Sequence, residues 1–272
     1  EADPTVNVTG RGVTLLATGS IGTAAKAVDV LTKERTKLIA TAGGNAYLGA
    51  SGGAMRIGQV VAGGTAALGS ASSIIDDRGT LAQADQARHI EFVAGGDVGQ
   101  AALPVTVKTA SDGAVRVANA GGSVYLRSSS GVLAVNDAQA ATGQIALNGS
   151  VGGLQLGGTM SAAKGMALTS GSQDIVLTGN ADLRNETGSL VLQGRKITFA
   201  DGASADSGAG SMVLSATGDI TLTGLRSANS SASARRSRTA TPHSRPHSKR
   251  CCKPSRTKTS FSPRSDTSCA RR

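Results

Sequence analysis

The chain has 272 residues, 37 glycines, 2% aromatic residues and no tryptophan, which excludes an aromatic-packed globule and leaves Val, Ile, Leu and Ala to build the core. The formal charge of +10 is unevenly placed: residues 1–225 carry 15 Lys/Arg and 17 Asp/Glu, whereas residues 226–272 carry 13 Lys/Arg against Asp266 alone. The body is therefore slightly acidic and has no electrostatic footprint for nucleic acid; it also lacks cysteine for a disulfide framework and any apolar run of about 18 residues for a membrane helix.

Glu1-Ala2-Asp3-Pro4 has neither the basic nor the apolar stretch of a signal peptide, so the sequence reads as an interior piece of something longer. Triplets with the in-out-in alternation of a strand follow: Val13-Thr14-Leu15, Met55-Arg56-Ile57, Ile90-Glu91-Phe92 and Val115-Arg116-Val117. Gly, Asn, Asp and Ser between them supply turns. Periodicity is poorer in the first third, and Lys33–Lys37 is expected to loop out. Asp76-Asp77-Arg78 is the one tight charged cluster of the body; with Gly79 next to it, it reads as a loop rather than a catalytic group. His89 is expected in a solvated loop before the Ile90 strand, and one histidine builds no metal site.

From Val124 onward the pattern becomes regular. Triplets begin at Val124, Ile145, Met166, Leu190 and Met212, and a second series begins at Leu133, Leu154, Ile175, Ile197 and Ile220. A weaker third series passes through Met160, Leu183 and Ala205. Three short strands every 21–24 residues describe a solenoid coil with three faces. Asp174 and Asp219 each precede a strand and read as corner residues. A longer repeat aligns Leu16–Ala25 with Val93–Ala102, and Ala42–Leu48 with Ala120–Leu126, so both tyrosines, Tyr47 and Tyr125, share one repeat position. The expected fold is all-β: a parallel β-helix over residues 1–225, periodic across 5–225, its coils stacked about 4.8 Å apart. The predicted inward ladders are Ile145/Met166/Leu190/Met212 and Leu154/Ile175/Ile197/Ile220.

Gly188-Ser189-Leu190-Val191-Leu192, Lys196-Ile197-Thr198-Phe199 and Gly218-Asp219-Ile220-Thr221-Leu222-Thr223-Gly224 resemble the repeats of filamentous-haemagglutinin-like large exoproteins. Gly19–Ala25 followed by Gly43–Leu48 does so too, and autotransporter passenger domains share these motifs. The resemblance covers residues 5–225. It implies a right-handed β-helical shaft, secretion to the bacterial cell surface, an outer-membrane export partner for the parent protein, and a role in adhesion and virulence. The partners it implies are glycans or proteins of host or neighbouring cells.

The residues assign no catalytic, cofactor-binding or metal site. The expected function is a structural and adhesive shaft rather than an enzyme. The competing class is a polysaccharide-degrading β-helix enzyme, which needs carboxylates converging with Arg or Lys in a groove along one face.

After Gly224 glycine disappears, and Arg, Ser, Pro, Thr and all three cysteines dominate. Arg235-Arg236-Ser237-Arg238 suits a basic arm for nucleic acid or an anionic surface, and Cys251, Cys252, His243 and His247 can be drawn as a metal cluster. A third reading explains more of the change: residues 226–272 have the composition of GC-rich coding sequence translated out of frame. It predicts a disordered tail that forms no metal site.

Overall fold

The computed structural model describes residues 7–32, 36–78 and 84–223. The readings of residues 226–272, and of Lys33–Arg35 as part of a loop, lie outside the described residues. Within them the chain forms strands and no helix. In chain order the strands are β1 (Val8–Gly10), β2 (Val13–Ala17), β3 (Val28–Thr32), β4 (Leu38–Ala42), β5 (Ala46–Ala50), β6 (Met55–Ala62), β7 (Thr65–Ser70) and β8 (Ile74–Asp76). Next come β9 (Asp85–Ala87), β10 (His89–Ala94), β11 (Val105–Thr109), β12 (Val115–Ala120), β13 (Val124–Ser128), β14 (Leu133–Ala140), β15 (Ile145–Asn148) and β16 (Leu154–Leu156). The remainder are β17 (Thr159–Ala162), β18 (Met166–Thr169), β19 (Ile175–Leu177), β20 (Asp182–Asn185), β21 (Leu190–Gly194), β22 (Ile197–Phe199), β23 (Ser204–Asp206), β24 (Met212–Ala216) and β25 (Ile220–Leu222).

The strands pair in parallel into a 14-stranded and an 11-stranded sheet, wound as a β-solenoid of about 9 turns. One inward column runs unbroken through Ile21, Ala46, Ala66, Ile90, Val115, Val135, Leu156, Leu177 and Phe199, and continues in register to Leu222, which is exposed. Each of these residues stacks on its counterpart one coil away, so alternation within a strand becomes a continuous apolar ladder along the axis. Both predicted ladders are present, Ile145/Met166/Leu190/Met212 and Leu154/Ile175/Ile197/Ile220.

The third series extends further than its sequence signal. Met160, Leu183 and Ala205 continue backwards through Ala138, Val117, Phe92, Leu68, Leu48 and Val28. In the first half, two faces share one longer strand, so Ala46 and Leu48 lie on the same β5. At β14 they part: its beginning pairs with β16 and its end with β17. Coil length also varies more there, from 19 residues between Met55 and Ile74 to 25 between Ile90 and Val115.

The longer repeat is a local two-coil unit and does not return to the same face. Ile21 pairs with Ala46 on the 14-stranded sheet, whereas Val98 pairs with Val124 on the 11-stranded one. The local geometry is nonetheless the same. The Tyr47 N–H donates to Ile21 O at 2.8 Å, and the Tyr125 N–H to Val98 O at 2.7 Å. Gly22 and Gly99, at φ 67° and 76°, sit beneath those tyrosine carbonyls, where a Cβ has no room.

Polar side chains take up backbone groups that the corner interrupts. The Asn45 N–H donates to Ser20 Oγ at 3.0 Å, and the Thr65 N–H to Asn45 Oδ1 at 2.8 Å. The Asp97 N–H donates to Ser73 Oγ at 3.0 Å, and the Ser123 N–H to Asp97 Oδ1 at 2.6 Å. These ladders explain the recurrent Gly-Gly-Asn/Asp/Ser phrase: glycine lets two coils meet, and the next side chain supplies the missing acceptor.

Candidate functional site

Two groups of charged side chains stand out, one inside the solenoid and one on its outer face. The inner group corrects the sequence reading of Asp76-Asp77-Arg78. Asp76 ends strand β8 and stacks on Ile57, a ladder position that is apolar one coil earlier. The same in-out alternation carries Asp76 and Arg78 inward and Asp77 outward, where it pairs with Arg56 at 3.3 Å. Turn-residue composition misled here because the buried charges compensate one another rather than seeking solvent.

The Arg78 guanidinium lies between Asp76 and Asp85. Its Nε donates to Asp76 Oδ1 at 2.7 Å, its Nη2 to Asp76 Oδ2, and Nη2 also reaches Asp85 Oδ2 at 3.4 Å. Backbone groups add to the cluster, although Arg78 Nη1 is buried without a hydrogen-bond partner. The Val60 N–H donates to Asp85 Oδ1 at 2.9 Å, the Thr106 N–H to Asp76 Oδ2 at 3.2 Å, and Arg78 Nη2 to Thr106 O at 3.2 Å. The Asp85 and Arg78 side chains are 0% and 1% exposed. Burial pushes the Asp85 carboxyl up to about 6, against the pull of Arg78 and the Val60 N–H. Burial opposes the Arg78 charge as well, but hydrogen bonding and attraction to the two carboxylates leave its pKa raised. Among the described residues, the Asp76, Arg78 and Asp85 side chains are buried in the solenoid interior, away from the outer face.

The outer group follows from the ladder register. Glu91 on β10 pairs with Arg116 on β12, and Arg116 pairs with Asp137 on β14. Arg116 bridges them, with Nη1 2.8 Å from Glu91 Oε1 and Nε 3.6 Å from Asp137 Oδ2. Farther along the same face, Arg184 pairs with Asp182 at 2.6 Å, and the Ser204 hydroxyl donates to Asp182 at 2.6 Å. Burial would raise the Asp182 carboxyl, but the hydrogen bonds from Ser204 and Arg184 outweigh it and hold the pKa low.

Glu91, Arg116, Asp137 and Arg184 line two shallow depressions of about 390 and 320 Å³ that share Arg116 and Asp137. Thr159, Ser161 and Arg184 edge one, and His89, Glu91 and Thr65 the other. His89 is thus not in a loop: it opens strand β10 and faces this groove. The site offers hydroxyls, two carboxylates and guanidinium groups along one line. Because Arg116 is 54% exposed, its ion pairs contribute little to stability and can be exchanged for contacts with a ligand.

Sequence alternation alone turned Glu91 and Arg116 outward. What it lacked was the 25-residue coil that stacks them and the bulge that brings Asp137 into line. The 11-stranded sheet is different. Its outward ladder Tyr125/Ala146/Ala167/Val191/Val213 is uncharged, and beside it run Arg127, Asn148, Thr169, Gln193 and Ser215.

Asp174 and Asp219 serve as corner residues. Asp174 accepts from Arg195 at 2.8 and 2.9 Å, which lowers its pKa, and the Asp219 carbonyl accepts from the Ile197 N–H at 3.0 Å. Among the described residues, no group of three or more His, Cys, Asp or Glu could hold a metal ion. No helix among them is long and apolar enough to cross a membrane. Comparisons with protein-family models, curated proteins and solved structures return no match.

Proposed function

We propose that this chain is a length of the shaft of a secreted or cell-surface bacterial adhesin of filamentous-haemagglutinin type, which binds through its lateral groove and does not cleave what it binds. The observation that carries this reading is the division of labour across the solenoid. An unbroken apolar ladder keeps successive coils in register, one outer face is largely Ala, Val, Thr, Asn and Ser, and paired charges gather along another. A stacked coil is an extended, rigid support, and the exchangeable ion pairs of the groove suit a polar, many-hydroxyl partner. Glycans or proteins of a host or neighbouring cell are the proposed partners, with export through an outer-membrane partner of the parent protein.

A polysaccharide-degrading enzyme is the second reading. The joint presence of His89, Glu91, Arg116 and Asp137 along one groove favours it. Asp76 and Asp77 do not: the first is buried in the core and the second pairs with Arg56 outside this groove.

The test is incubation of the purified chain with intact cells and with acidic and neutral polysaccharides, following retention and chain cleavage in parallel. The expected result is retention without cleavage, weakened about tenfold, or roughly 1.4 kcal/mol, by Arg116→Ala. Cleavage that disappears in Glu91→Gln and Asp137→Asn would establish the enzyme instead.

A further inference from the structure

Asp76, Arg78 and Asp85 are the charged side chains buried among the described residues. They meet in one place: Asp76 ends β8, Arg78 follows it, and Asp85 opens β9. Strand β9 runs through Arg88 directly into β10, which carries His89 and Glu91 of the groove. Whatever holds Asp85 therefore holds the start of that groove.

We infer that Asp76, Arg78 and Asp85 form a pH-sensitive clasp that pins β9 into the wall of the solenoid and thereby fixes the His89–Glu91 end of the groove. With all three ionised, the interior carries one uncompensated negative charge. Protonating Asp85 removes it and gives up only the 3.4 Å contact to Nη2, while the two-point Arg78–Asp76 contact remains. From β6 the Val60 N–H faces Asp85, and from β11 Thr106 faces Asp76 and Arg78. Neither residue titrates. The nearby Asp77 and Arg56 pair with each other on the outside, and Lys108, beside Gln86 in register, is exposed. The inference holds whatever the groove binds.

The sign follows from Asp85. Its carboxyl titrates at about 6 in the fold against 3.8 as the ordinary value. The folded state therefore takes up a proton that the opened state does not, and stability grows as pH falls from 7 to 5. The gain is complete below the ordinary value and lost as pH rises through about 6. Integrated over pH 7 to 5, one such group shifts the opening equilibrium roughly tenfold.

Amide hydrogen exchange on the full chain tests this, in a His89→Gln background that removes the imidazole at the start of β10. After correction for the intrinsic rate, protection of the Val60 and Thr106 amides is expected to be about tenfold higher at pH 5 than at pH 7, with Leu168 unchanged. Asp85→Asn is expected to abolish the difference. Protection independent of pH in the parent, or an unaltered pH dependence in Asp85→Asn, would overturn the clasp. Should Asp85→Asn fail to fold, carbon-13 titration of the Asp85 carboxyl decides: a midpoint near 6 upholds the clasp, and one in the ordinary carboxylate range overturns it. A Glu91 amide resonance that stays still while Asp85 titrates would overturn the link to the groove.

Discussion

Arg78→Ala is expected to lower the stability of the solenoid by about 3–5 kcal/mol, the usual cost of removing one partner from a buried ion cluster. The reason is what remains behind. Asp76 and Asp85 would face each other inside the core with only backbone N–H groups, those of residue 78, Thr106 and Val60, to hold them. The cost belongs to the uncompensated charge and not to the guanidinium as such. Replacing all three together, Asp76→Leu with Arg78→Met and Asp85→Leu, should therefore restore at least the parent stability, since apolar replacement of buried ions is often neutral or better. Chemical denaturation checks both variants. A triple variant as weak as Arg78→Ala alone would show that the cluster contributes more than charge balance.

Phe92→Ala is expected to cost about 3–5 kcal/mol, the range for an aromatic core side chain cut to a methyl group. Phe92 is fully buried in the ladder between Leu68 and Val117. It lies on β10 between the outward Glu91 and Val93, so a cavity there loosens the strand that presents the groove. Phe92→Leu keeps most of the volume and should cost about 1.5 kcal/mol or less. Ala167→Ser, on the outward face of β18, should stay within about 0.5 kcal/mol. Denaturation midpoints for the three, with cell retention measured alongside, check the ranking. Equal effects of Phe92→Ala and Ala167→Ser would contradict the assigned inward and outward faces.

Most of the coil architecture was legible in the sequence, because a solenoid turns period directly into contact. Residues one coil apart, such as Ile145 and Met166, are both neighbours in space and repeats in sequence. The first half was less legible because Leu48, Leu68 and Phe92 share strands with Ala46, Ala66 and Ile90, so two faces give one signal. The tyrosine repeat was real as a local unit but misleading as a position, since corner chemistry is the same on different faces. The charged features hid for opposite reasons. Asp76 and Arg78 break the rule that inward positions are apolar, and Asp85, seven residues beyond Arg78, is what makes that possible. Glu91, Arg116 and Asp137 obey the alternation rule, but their convergence depends on coil lengths and a bulge that no local pattern specifies.

The groove, the clasp and the shaft all depend on the parallel one-coil register, and a disulfide trap measures it most directly. In a chain with Cys251, Cys252 and Cys269 changed to serine, the double variant Gln155→Cys with Val176→Cys places two outward side chains on adjacent coils. The coil spacing of about 4.8 Å lies within the range a disulfide bridges. The control, Gln155→Cys with Thr198→Cys, spans two coils, about 9.6 Å, beyond that range. Rapid intramolecular oxidation of the first pair and none of the second is the predicted result. Equal oxidation of both pairs, or of the second alone, would contradict the register and the solenoid with it.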